Sequence, residues 1–253
     1  MSKNTVHTSN QPIVILGALD QEINAFHQEL EGSQKHFWNG YEIWQGRLQG
    51  RDVVVTKSGV GKVFASMICQ MLIDRYNPQA LIFTGLAGGL SPKLEIGDIV
   101  VSRDCVQHDF TAAPLFPRYE IPSYDMKTTH RDFYADKHLK QLALGYIPQQ
   151  GKIVEGRILT GDQFLTGSEL EEYQHLTREL TGDAVDMESA AVAQVCTINQ
   201  IPFVIIRTIS DKANGQAARS FENFLPEATH NSVEVVKRIV ANLRQTTQYH
   251  PRR

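Results

Sequence analysis

Glu22, Glu188 and Asp211 are the side chains through which this sequence can do chemistry. Glu22 follows the apolar run IVILGAL (13–19) by a few residues, and Asp211 follows PFVIIRTIS (202–210). Glu188 stands in AVDMESAAVA (184–193), a stretch otherwise built of small and apolar residues apart from Asp186. Carboxyl groups give and take protons and balance positive charge, but burying one is costly unless something pairs with it. In an open α/β sheet, ligands bind outside the carboxyl ends of the strands, so three acids from three crossovers are expected to meet at one edge. Each has a plainer role available. Glu22 and Glu188 can favour helix N-termini, and Asp211 with Ser210 can be an N-cap. Asp186 is expected to be a mere neighbour of Glu188, pointing the other way.

Other chemistries find less support. SGVGK (58–62) has Thr56 where a phosphate loop needs its first Gly and Val63 where it needs Ser or Thr. It reads as a strand-to-helix turn whose amides can still line a pocket. TGLAGGL (84–90) is not GxGxxG, yet it follows a strand, so backbone there can approach a ligand closely. The nine histidines show no HxxxH or HxxEH pairing, so no metal is expected, and no GxSxG or Cys–His pattern points to acyl transfer.

The elements that position the acids follow from periodicity. Strands are expected at 13–17, 41–48, 52–56, 80–85, 98–103, 152–161 and 202–208, with a strand-like 183–186. Val63, Phe64, Met67, Ile68, Met71 and Leu72 share helical spacing before Asn77-Pro78. Helices are also expected over Glu169–Leu180 and Met187–Ile198. Val233, Val236, Val240 and Leu243 mark a closing helix. Strands apolar on both faces and separated by helices imply a single-domain, three-layer α/β/α fold with a mixed, mainly parallel central sheet. The expected domain spans 12–245, between disordered tails at 1–11 and 246–253. The irregular stretch Val106–Thr129, with three prolines, is long enough to suggest a functional loop.

A net charge of −3 argues against nucleic-acid or membrane-surface partners. No apolar run reaches transmembrane length, and MSKNTVHTSNQP lacks the apolar core of a signal peptide. Cys69, Cys105 and Cys196 lie far apart and read as reduced, buried thiols, so a cytoplasmic location is expected.

Taken together, ILGALDQEI (15–23), KSGVGKV (57–63), TGLAGGLSPKLEIGDIVVS (84–102), TGDQFLTGS (160–168), AVDMESAAVAQVC (184–196) and PFVIIRTISDKAN (202–214) resemble the nucleoside phosphorylase/hydrolase superfamily. They resemble most the bacterial 5′-methylthioadenosine/S-adenosylhomocysteine nucleosidases, in family order from about Ile13 to Leu243. The resemblance implies a nucleoside phosphorylase-like fold and hydrolysis of an N-glycosidic bond, without a cofactor. It also implies the roles. Asp211 would protonate purine N7, helped by burial among Phe203–Ile206 and Ala213 and oriented by Ser210. Glu22 would activate water held with Arg207. Glu188 would bind the ribose hydroxyls, with Met187 beneath the sugar. Phe164 would stack on the base and the Leu165 backbone pair with its edge, while Ala87 and Gly88 line the pocket. Leu19, Val60 and Phe221 would form the apolar 5′ pocket, closed in a homodimer by the partner's region matching His108 to Pro117.

A carboxylate at Glu22 repels phosphate and suits water, which favours a hydrolase over the related phosphorylases. Leu86 stands where many relatives have a small hydroxyl residue, and Gln163 replaces a small residue before the stacking Phe. FTAAPLFPRYEIP (110–122) departs from the familiar pattern. Hydrolysis of aminofutalosine or futalosine uses the same chemistry on another 5′ group and is the alternative. A non-catalytic nucleoside binder is disfavoured because it has no use for a water-activating acid opposite a base-protonating one.

Overall fold

A computed structural model describes residues 11–165, 173–211 and 231–244; both expected tails lie almost wholly outside these residues. The chain opens with β1 (Ile13–Gly17), α1 (Asp20–Glu29), β2 (Glu31–Trp38), β3 (Tyr41–Leu48), β4 (Arg51–Lys57) and α2 (Lys62–Tyr76). It continues through β5 (Ala80–Gly89) and β6 (Ile99–Gln107) to three short strands, β7 (Ile121–Pro122), β8 (Thr129–His130) and β9 (Phe133–Tyr134). Then come α3 (Lys137–Leu144), β10 (Ile153–Thr160), α4 (Gln174–Arg178), β11 (Ala184–Asp186), α5 (Ser189–Ile198) and β12 (Phe203–Asp211). A last helix, α6, occupies 231–242.

Ten of the strands form one mixed sheet in the order β11-β10-β6-β12-β5-β1-β4-β3-β2, with β9 beside β6, while β7 and β8 pair as a separate two-stranded sheet. At its centre β12, β5, β1 and β4 run parallel, and their Val/Ile-rich sequences are buried on both faces. One face packs against α2 and α5 through Ile68, Leu72, Val192 and Cys196. The other is covered by α1, α3 and α6 through Phe26, Leu139, Val236 and Val240. The expected stripe Val233, Val236, Val240 and Leu243 faces this core. The three layers are therefore those the periodicity implies. Cys69, Cys105 and Cys196 are buried and unbridged.

Several boundaries differ from the expectation, each for a physical reason. β2 is missed because EGSQKHFW is exposed along almost its whole length and offers no apolar alternation. β5 and β12 run on to Gly89 and Asp211, past the last bulky apolar residue, because β12 pairs with β5 as far as Gly88 and β11 pairs with Gly89. Of the helix expected over 169–180, the described part holds only α4; 169–172 lie outside it. The largest unforeseen feature is topological. β11 pairs antiparallel with the end of β5, Ala184 opposite Gly89 and Val185 opposite Gly88, so β11, β10, β6, β12 and β5 close on themselves. Residues 106–129 are mostly irregular, as their prolines suggest. Among the described residues no helix is long and apolar enough to cross a membrane.

Candidate active site

Where the sheet closes, one cavity of about 710 Å³, its open mouth included, is lined by Glu22, Glu188 and Asp211 together. Each acid arrives by a different route. Glu22 sits in the first turn of α1, directly after β1. Its Oε2 accepts from the amides of Ala18 (2.6 Å) and Leu19 (3.0 Å), while Oε1 accepts from the amide of Leu86 on β5 (2.9 Å). The helix-terminus role and the site role thus belong to one side chain. Burial raises its pKa, against the lowering effects of Arg207 and the three amides.

Asp211 is the last residue of β12. The β12–β5 register slips between Ile209, opposite Ala87, and Asp211, opposite Gly88. Such a bulge re-aims side chains. Ser210, in the slip, donates its hydroxyl to Asp211 Oδ2 (2.9 Å) and lies 3.4 Å from the Ala87 carbonyl. Both residues are buried and both line the cavity.

Glu188 occupies the N-cap position of α5 without capping it. Its carboxylate turns into the cavity and accepts from the amide of Gly61 (2.8 Å), in the turn after β4 where Gly59 and Gly61 adopt positive φ. Burial, and then the charge of Asp186, lift its pKa from 4.5 to about 7.

Asp186 corrects the sequence reading. It ends β11, and its carboxylate turns inward, so that it lines the cavity with Glu188. It is buried, accepts from Thr160 Oγ1 (2.6 Å) and from the Ser189 hydroxyl and amide (3.1 Å), and so supplies the α5 cap. Its Oδ2 also receives Arg207 Nε (2.8 Å).

Arg207 lies behind the cavity wall at 1% exposure, its guanidinium 4.1 Å from the centre of the Phe83 ring. Burial opposes its charge, but Asp186, Glu22 and Glu188 outweigh that and raise its pKa. Nη2 is 4.0 Å from Glu188 Oε2, and neither Nη1 nor Nη2 has a hydrogen-bond partner among the described residues. A Cβ on Gly85 would collide with both Glu22 Oε1 and Arg207 Nη1. The absence of a side chain there lets acid and base approach.

The remaining sequence-derived residues sort by wall. Ala87, Gly88 and Met187 line the interior; Leu19 and Val60 line it from the first loop and the glycine turn. Gln163, Phe164 and Leu165, after β10, line it as well, with Phe164 half exposed and Gln163 receiving a hydrogen bond from Tyr173. Leu86 contributes its side chain to the cavity and its amide to Glu22. Phe221 and Ala213 lie outside the described residues. No group of His, Cys, Asp and Glu suited to a metal occurs among the described residues.

Residues 12–241 match the family described as the phosphorylase superfamily. The 5′-methylthioadenosine/S-adenosylhomocysteine nucleosidase of Psychromonas ingrahamii is 38% identical over 237 residues, spanning 91% of this chain and 99% of that protein. The crystal structure of a nucleosidase of this name from Colwellia psychrerythraea, in complex with adenine, superposes with a TM-score of 0.86 at 32% identity, covering 95% of this chain and 98% of that one. A futalosine hydrolase mutant of Helicobacter pylori gives 0.82 at 29%, covering 92% and 100%.

Proposed function

This chain belongs to the phosphorylase superfamily and, within it, to the 5′-methylthioadenosine/S-adenosylhomocysteine nucleosidases, and we propose that it hydrolyses the N-glycosidic bond of such 5′-substituted adenosines, 5′-deoxyadenosine included. The products are adenine and a 5-substituted ribose. The observation that carries the reading is the convergence of Glu22, Glu188 and Asp211 on one cavity beside a buried arginine.

In this mechanism Asp211, oriented by Ser210, gives its proton to N7 as the bond from the sugar to N9 breaks and its electron pair passes to the purine. Glu22 takes a proton from the water that attacks the anomeric carbon, and the Nη groups of Arg207 orient that water. Glu188 accepts from the ribose hydroxyls, and its charge stabilises the oxocarbenium-like sugar in a cavity where water screens little. Met187 packs beneath the ring, Phe164 stacks on the base and the Leu165 backbone pairs with its edge. Leu19, Val60 and Phe221 receive the 5′ group. A cytoplasmic homodimer is part of the proposal. Val63, Phe64 and Met67 expose apolar surface on α2 beside the cavity residue Val60, next to where a second copy would close the 5′ pocket with its region 108–117.

Phosphate is a poor nucleophile here, since the described cavity lining contains acids but no Lys or Arg. The likeness to a futalosine hydrolase keeps that 5′ substituent as the second reading. Purified protein is expected to release adenine from methylthioadenosine without phosphate. Release only with phosphate means a phosphorylase, and no release from a panel including adenosylhomocysteine, 5′-deoxyadenosine and aminofutalosine means a binding protein.

A further inference from the structure

Lys62 opens α2 one residue after Gly61, whose amide holds Glu188. Its Nζ lies 2.6 Å from Asp109 Oδ1 and 3.6 Å from Asp162 Oδ2, and its backbone amide donates to Asp162 Oδ1 (3.0 Å). Asp162 in turn donates its own amide to Asp109 Oδ2 (3.0 Å). The three residues come from three crossovers, after β4, β6 and β10, and four interactions tie them into a closed ring. Burial raises the pKa of Asp109, but the hydrogen bonds from Lys62 and the Asp162 amide bring it below the ordinary value. Two residues beyond Asp162 stands Phe164, which lines the cavity.

We propose that Lys62, Asp109 and Asp162 form a clasp that fixes the separation between the Gly61 turn, which anchors Glu188, and the loop carrying Phe164, making all three positioning residues for the nucleoside. The inference rests on the nucleosidase reading. None of the three lines the cavity, so the clasp acts through Gly61 and Phe164. With the Lys62 side chain at 18% exposure and those of Asp109 and Asp162 at 30% and 50%, the ring adds little to global stability. Its effect falls on ligand binding. The Gly61 amide is also one of the groups that hold down the Glu188 pKa; Arg207 is another, while Asp186 and Glu22 push it up. Loosening the turn therefore moves the Glu188 titration upward.

The test compares wild type, Lys62→Met and Lys62→Arg as purified full-length chains. The readouts are KM and kcat for methylthioadenosine, the adenine Kd by calorimetry, and kcat/KM against pH. Lys62→Met is expected to raise KM and the adenine Kd about three- to fivefold, the order set by a partly exposed ion pair, with kcat less affected. The acid limb of kcat/KM shifts to higher pH, and Lys62→Arg restores most of the binding. Asp162→Asn, which keeps the acceptor for the Lys62 amide but removes the charge, gives the same pattern if Lys62→Met does not fold. Unchanged KM and Kd in these variants, or losses confined to kcat and not rescued by Arg, overturn the clasp. A wild-type protein that releases no adenine overturns the underlying nucleosidase reading instead.

Discussion

Glu188→Gln removes a charge that the fold has difficulty keeping. Burial and the neighbouring Asp186 lift the Glu188 pKa from 4.5 to about 7, a gap of about 2.5 units. At 1.36 kcal/mol per unit this is about 3 kcal/mol. The sign follows from linkage. The folded state binds the proton more tightly than the unfolded chain, so the contribution is fully present below pH 4.5 and is lost as pH rises through about 7. Most of that change falls between pH 5 and 8, where the group's contribution declines by about 2.5 kcal/mol. Gln is isosteric and does not titrate, and its amide oxygen can still accept from Gly61. The stability of Glu188→Gln relative to wild type should therefore increase by about 2.5 kcal/mol between pH 5 and pH 8. Urea unfolding of both proteins at the two pH values, at one protein concentration, measures this directly, and titrating groups remote from Glu188 cancel in the difference. A difference that stays constant with pH would refute the argument, because it would mean that Glu188 ionises in the folded protein as easily as in water. The gain in stability should accompany a loss of turnover, since the same charge is proposed to face the sugar.

The same titration should appear in kinetics. The kcat/KM of the wild type is expected to fall below about pH 7 as Glu188 takes up its proton, and Glu188→Gln should lack that limb; its persistence in the variant would assign it to another group. Asp211→Asn should abolish turnover while binding adenine and methylthioadenosine nearly as well as wild type, and near-normal rates would remove Asp211 as the acid. Glu22→Gln should be similarly inactive, and normal turnover would take Glu22 out of the water site. In Gly85→Ala the new methyl would collide with Glu22 and Arg207, both fixed by burial. A stability cost of about 1–3 kcal/mol and loss of activity are expected, and an active variant with unchanged melting temperature would show that the site tolerates their separation.

Much of this molecule is legible from residue order. Val/Ile runs buried on both faces and helices with one apolar stripe are local statements of the three-layer architecture, because period and burial are properties of neighbouring residues. The positions of Glu22, Glu188 and Asp211 beyond apolar strands already suggested a shared edge, and the ordered motifs narrowed the family. Three features were not legible. β11 returns antiparallel to β5 and closes the sheet, which brings Glu188 to the cavity by a route that no parallel crossover implies. The bulge at Ser210 that accompanies the aiming of Asp211 is a slip against β5, defined only by the partner strand. Arg207 sits midway along an apolar strand, where sequence alone predicts an expensive charge. Only the folded chain shows Asp186, Glu22 and Glu188 around it, residues 21, 185 and 19 positions away. Local order fixes which residues can be buried and with what period, but the electrostatic balance of a site depends on distances through space, and those are set by strand register and sheet closure.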